Sequence, residues 1–105
     1  PSFSSEENLH PLRDDPDFAL VVQQFVDRLP ERIADMNRAV TCEDWKGLQM
    51  LSHKLKGAAL FGFDELGQSA AALEHTLTQG EYGQALVIET KLVDMASSIC
   101  HQRGK

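Results

Sequence analysis

His53, Lys56 and Gly57 stand at positions i, i+3 and i+4, the spacing that makes side chains neighbours on one face of a helix. The residue types suit phosphoryl chemistry. A neutral imidazole is a competent nucleophile near neutral pH. It needs in-line access to a phosphorus atom, and it needs no deep pocket if a partner brings the rest of the active site. An ammonium group three residues on would stabilise negative charge arriving on the ring. Glycine inside a helix costs about 1 kcal/mol relative to alanine. Gly57 therefore calls for a compensating use, and clearing space beside the ring for an approaching partner is one. Lys46, Gln49, Met50 and Leu60 share that side of the helix, with Lys54 nearby. Met50 and Leu60 would add exposed apolar surface inside a polar rim, the character of a docking patch.

The helix that carries these residues decides whether the histidine can be reached. At about 100° per residue, with Leu48 set at zero, Leu51, Leu55, Ala58 and Ala59 fall on one side and define the core face. His53 falls at about 140° from Leu48, so it points to solvent. The other histidines lack the pattern. His75 is also expected to be exposed, but it has no lysine or glycine at the matching offsets, and Glu74 beside it would repel a phosphoryl group. His10 lies in the N-terminal tail and His101 near a C-terminus expected to fray.

Four amphipathic helices account for most of the chain. The first starts at Asp15, a capping residue, with Pro16 in the first turn where no hydrogen bond is lost. Its apolar face is Val22, Phe25, Val26, Leu29, Ile33, Met36 and Val40, and Pro30 should kink or break it. The second is expected to be capped by Thr41, with acids in its first turn, and to end near Gly62. The third, capped by Asp64, buries Leu66, Ala70, Leu73 and Leu77 and stops at Gly80. The fourth runs from about Tyr82 to about His101, burying Ala85, Ile88, Leu92, Met95 and Ile99. No stretch alternates with the period of a strand. The fold class is all-α, an antiparallel up-down-up-down four-helix bundle. It occupies residues 15–105, behind a tail or linker at residues 1–14 that leaves room for one short extra helix.

Length and charge narrow the function classes. A chain of 105 residues suits one domain. A formal net charge of -6 argues against nucleic acid and against anionic membrane as partners. No signal peptide or spanning segment is evident. Cys42 and Cys100 have no metal-type spacing, and reduced thiols in the cytoplasm are the simplest reading. The acidic residues read as solvated faces. No phosphate loop or nucleotide signature is present, so no autonomous kinase activity is expected. The chain starts at Pro1 rather than Met, which favours a piece of a longer protein.

The segment Ser52-His53-Lys54-Leu55-Lys56-Gly57-Ala58-Ala59 resembles the signature of histidine-containing phosphotransfer (HPt) domains. Asp15-Pro16-Asp17-Phe18, Phe25-Val26 and Leu29-Pro30-Glu31-Arg32 resemble the first helix of bacterial members. The resemblance implies that His53 accepts a phosphoryl group, through Nε2, from the aspartate of a response-regulator receiver domain and passes it on in a two-component phosphorelay. It implies that Lys56 assists the phosphoryl group and that Gly57 gives steric access; by their place around the histidine, Lys46, Gln49, Met50, Lys54 and Leu60 are expected to dock the partner. The chain itself would bind no metal or cofactor, because the receiver supplies the Mg²⁺. A monomer is expected, free or covalently linked to a hybrid sensor kinase. One feature departs from the family: the second glycine usually falls ten residues after the histidine, and Gly62 falls nine after. The phospho-accepting domain of chemotaxis-type kinases shares the motif and remains an alternative. A kinase dimerisation domain is disfavoured, since Lys54 follows His53 and Ala58 takes the usual proline position. A non-catalytic adaptor bundle would leave Gly57 unexplained. A ferritin-like metal bundle lacks its paired Glu-x-x-His motifs.

Overall fold

A computed structural model describes residues 16–103. The N-terminal tail, with the short extra helix it has room for, the cap expected at Asp15 and His10 lie outside the described residues. Four helices follow one another: α1 (Pro16–Thr41), α2 (Trp45–Leu55), α3 (Asp64–Thr78) and α4 (Tyr82–Arg103). A 3-10 segment, Lys56–Phe61, continues α2 directly. Each helix packs on the next and α4 closes back onto α1. Connections of two or three residues force consecutive helices to run antiparallel, which is the expected bundle.

The core faces fall where the periodicity puts them. Leu29, Met36, Leu48, Leu55, Leu66, Ala70, Leu73, Leu77, Ala85 and Leu92 are buried in one cluster, with Phe25, Ile33, Ile88, Met95 and Ile99 packed against it. Cys42 and Cys100 are both free thiols.

Several local expectations are corrected. Of the kink or break expected at Pro30, the break does not occur: α1 runs unbroken for 26 residues through the proline. The ring is on the exposed side, while Val26, Leu29 and Met36 on the other side are buried. Burial on both flanks of the proline offsets the lost bond to the Val26 carbonyl. Thr41 does not cap α2. It is the last residue of α1, and its hydroxyl donates back to the Asn37 carbonyl at 3.0 Å. The cap is Asp44, whose Oδ1 accepts the Gly47 N–H at 3.0 Å. Both residue types cap well, and the chain chooses the later one because α1 extends further than expected. Asp64 likewise is the first residue of α3, with Phe63 in the flanking position. Ala59 is exposed where core was expected. Glu89 is buried at 5% exposure, so not every acid lies on a solvated face.

The 3-10 segment sets how the chain reaches Gly62, nine residues after His53. Six residues at about three per turn complete two turns, whereas α-helix needs about seven for the same two turns. The tighter winding also climbs about 2.0 Å per residue instead of about 1.5 Å. Six residues of 3-10 helix thus keep the rotational phase of seven residues of α-helix and reach slightly further, about 12 Å against about 10.5 Å. The changed winding turns Ala59 off the core face while Ala58 stays fully buried. Gly62 then ends the segment in the left-handed region at φ 93°, a conformation open to glycine without steric cost. Phe61 is pinned to α1 by ring contacts of 6.2 Å to Phe18 and 5.1 Å to Phe25.

Candidate functional site

Contacts from α2 to α3 and to the start of α4 build the site as a ladder. Trp45 stacks on Tyr82 at 4.7 Å, the Gln49 amide donates to the Thr78 hydroxyl at 3.3 Å, and His53 Nδ1 lies 2.9 Å from Glu74 Oε2. Each rung is four residues from the last on both sides; Gln49–Thr78 and His53–Glu74 join α2 to α3, while Tyr82 is the first residue of α4. Thr78 Oγ1 also donates to the Glu74 carbonyl at 2.9 Å, so the rungs are linked along α3. On the core side of α2, Ser52 is fully buried and satisfied by a 2.8 Å bond to the Leu48 carbonyl.

Glu74 joins the two sequence candidates. Its Oε1 lies 2.8 Å from Lys56 Nζ while its Oε2 meets the His53 ring. The hydrogen bond from Lys56, followed by that from His53, holds the Glu74 carboxyl below its ordinary range against an opposing effect of burial. Glu74 is therefore ionised near neutral pH, and an ionised carboxylate can only accept. The proton in the 2.9 Å contact consequently sits on His53 Nδ1. In the neutral ring this leaves the lone pair on Nε2. The side chain of His53 is 65% exposed, which leaves that nitrogen accessible.

The remaining candidates group around this centre. Lys46, Gln49, Met50 and Lys54 line an open concavity of about 340 Å³ together with His53 and Glu74. Leu60 does not line it, although at 73% exposure it is the most exposed large apolar side chain of the described residues. Lys56 enters the site through Glu74. Gly57 has open space: a Cβ built there would meet nothing within 4 Å. The fold itself does not require glycine at that position. Gly67 is the reverse case. A Cβ there would lie 2.9 Å from Ala59 Cβ and 3.1 Å from the Lys56 carbonyl oxygen, so its absence lets α3 close on the segment carrying Lys56. His75 and His101 are exposed.

Glu74 and Gly67 escape the sequence reading. Glu74 follows core Leu73 and precedes core Leu77, so it stands at the edge of the buried face, where a side chain can reach across to the next helix. Among the described residues no group of three or more His, Cys, Asp and Glu side chains is placed to hold a metal ion, and no helix is long and apolar enough to cross a membrane.

The described residues form an all-α bundle in which one of three exposed helical histidines, His53, is held by a carboxylate from the adjacent helix. The family model of the Hpt domain matches residues 20–101, and the chain belongs to that family, whose members carry out histidine phosphotransfer in two-component signalling. No curated protein gives a significant match, nor does any solved structure.

Proposed function

We propose that His53 is the phospho-accepting residue, taking a phosphoryl group from the aspartyl phosphate of a response-regulator receiver and passing it to another aspartate in a phosphorelay. The observation that carries this reading is the single orientation of the ring: Nδ1 donates to Glu74 at 2.9 Å, and Nε2 is left for attack. In the forward step the Nε2 lone pair bonds to phosphorus. The phosphorus–oxygen bond to the receiver aspartate breaks, its electron pair leaving with the carboxylate. The ring becomes a cationic phosphoimidazolium whose Nδ1–H stays hydrogen-bonded to Glu74, which keeps the proton on that nitrogen. In the return step the nitrogen–phosphorus bond breaks and its pair goes back to Nε2. Because Nδ1 has kept its proton, the leaving group is neutral imidazole rather than imidazolate. One carboxylate thus serves both directions.

The surroundings suit a receiver. Three of the five lysines, Lys46, Lys54 and Lys56, flank His53 in a chain of net charge -6. That local cationic rim complements the acidic, Mg²⁺-binding pocket of a receiver and would steer its approach. Met50, 59% exposed, and Leu60 supply apolar contact, and open Gly57 admits the partner's backbone. The Mg²⁺ belongs to the receiver. The reading sets the chain in the cytoplasm as a monomer, free or joined to a hybrid sensor kinase.

The test is transfer from a purified receiver, phosphorylated with a small-molecule phosphodonor and Mg²⁺. The expected result is acid-labile label on the wild-type chain and none on His53→Gln, with the helical circular dichroism of the two equal. Acid-labile label on the variant would exclude His53 as the acceptor.

A further inference from the structure

We infer that Lys56 acts on phosphoryl transfer through Glu74, its ammonium cancelling the charge of the carboxylate that holds the His53 ring rather than gripping the phosphoryl group itself. The inference deepens the reading of His53 as acceptor and rests on it.

The geometry places the carboxylate between the two other groups. Lys56 Nζ is 2.8 Å from Oε1, and His53 Nδ1 is 2.9 Å from Oε2 of the same side chain. Lys56 therefore sits toward the Nδ1 side of the ring, whereas phosphorus bonds at Nε2 on the other side. Glu74 carries a conflict that this arrangement resolves. An acceptor-only group is what fixes the proton on Nδ1, yet its negative charge lies within a few ångströms of an incoming group that is itself strongly anionic. With its side chain only 22% exposed, Glu74 is screened by water less than a rim charge would be. A lysine that swung away to the phosphoryl group would leave this carboxylate bare at the moment repulsion is greatest. Kept on Oε1, the lysine preserves the orienting hydrogen bond and removes the repulsion. By this argument Lys56 is a positioning residue of the carboxylate.

The two roles predict different couplings, strong for action through Glu74 and none for a direct grip on the phosphoryl group, which a double-mutant cycle resolves. The probe is phosphoramidate, which needs no receiver. Nε2 bonds to phosphorus, the donor's phosphorus–nitrogen bond breaks, and ammonia departs. Rates are read by intact mass or phosphorus NMR for the wild type, Lys56→Met, Glu74→Gln and the double variant. Glu74→Gln keeps an amide oxygen to accept Nδ1–H without the charge. Lys56→Met should slow phosphorylation about ten-fold, and adding Glu74→Gln should recover about five-fold or more of that loss, a coupling of the size found for groups in contact. Lys56→Arg, which preserves the cation, should stay near wild type. Lys56→Met costing as much in the Glu74→Gln background as in the wild type would overturn the inference. If the pair merely tied the 3-10 segment to α3, Glu74→Gln alone would slow the reaction as Lys56→Met does and the double variant would be no faster than either, because deleting the second partner cannot restore a lost tie; that outcome would equally overturn the inference. Label that persisted in His53→Gln would overturn the acceptor reading beneath it, and is told apart because it does not depend on Lys56.

Discussion

Alanine should move stability in opposite directions at Gly57 and Gly67, and the sizes can be worked from the space at each. A Cβ at Gly67 would stand 2.9 Å from Ala59 Cβ, 3.0 Å from Ala59 N and 3.1 Å from the Lys56 carbonyl oxygen. Two of those atoms are backbone and the third is fixed to it, so none can rotate away. Gly67 lies inside α3, so alanine gains about 1 kcal/mol of helix propensity. The overpacking it causes costs about 1–3 kcal/mol. The net expectation is a loss of about 1 kcal/mol, with the segment bearing Lys56 displaced from α3. At Gly57 no atom lies within 4 Å of the added Cβ. Nor is its backbone in the left-handed region, which among the described glycines is confined to Gly62 and Gly80. Alanine there should gain about 0.5–1 kcal/mol. The two variants should thus differ by about 2 kcal/mol in urea unfolding followed by circular dichroism, at equal m-values. Gly57→Ala should also keep wild-type reaction with phosphoramidate while accepting more slowly from a receiver, because the added methyl faces the docking side only. A destabilised Gly57→Ala, or a Gly67→Ala as stable as the wild type, would refute the steric assignments.

Glu89 gives a pH-dependent expectation. Its Oε2 is buried without a hydrogen-bond partner, and burial raises its pKa from 4.5. A raised folded-state pKa means the protonated acid favours the fold, so this contribution is full below about pH 4.5 and is lost as pH rises through the folded value. Glu89→Gln should therefore stabilise the bundle by about 1 kcal/mol at pH 8, with the gain vanishing near pH 4 in thermal or urea melts. A gain that is constant with pH would count against the ionisation argument. Asp44→Ala should cost about 1 kcal/mol through loss of the α2 cap, whereas Thr41→Ala should change little; reversed sizes in urea melts would restore Thr41 as the cap.

How much of this was legible in the sequence depends on the range of the interaction. Core faces are set by side-chain type at helical spacing, and Leu48, Leu55, Leu66, Leu73, Leu77 and Leu92 were readable for that reason. Glu89 was readable too, since Ala85, Glu89, Leu92 and Ala96 form one stripe that is buried throughout; acidity alone hid it. Caps were harder, because Thr41 and Asp44 satisfy the same local rule and only the true length of α1 separates them. The continuity of α1 through Pro30 depends on tertiary burial overriding a local penalty. Glu74 needed more still. Its partner is 21 positions away, and the pairing follows only once the register of α2 against α3 is known.

That register explains why the departure after Ala59 leaves the histidine undisturbed. The rungs Trp45–Tyr82, Gln49–Thr78 and His53–Glu74 all precede the 3-10 segment on the α2 side. The last two set the orientation of α2 against α3 before the winding changes, and the first ties α2 to the start of α4. What the shorter segment must still deliver is Lys56 to Oε1 of Glu74, and Lys56 is its first residue. At that point little phase difference between the two windings has accumulated, about 20° per residue. The accumulated difference falls instead on Ala59 and Leu60, which are exposed and tolerate it. Lengthening the segment by one alanine after Ala59 should accordingly leave the His53–Glu74–Lys56 contacts and phosphoramidate reactivity intact. It should instead disturb Phe61, whose rings meet Phe18 and Phe25, and so lower the unfolding midpoint. A loss of reactivity without a loss of stability would show that the winding of the segment, and not the ladder, positions the site.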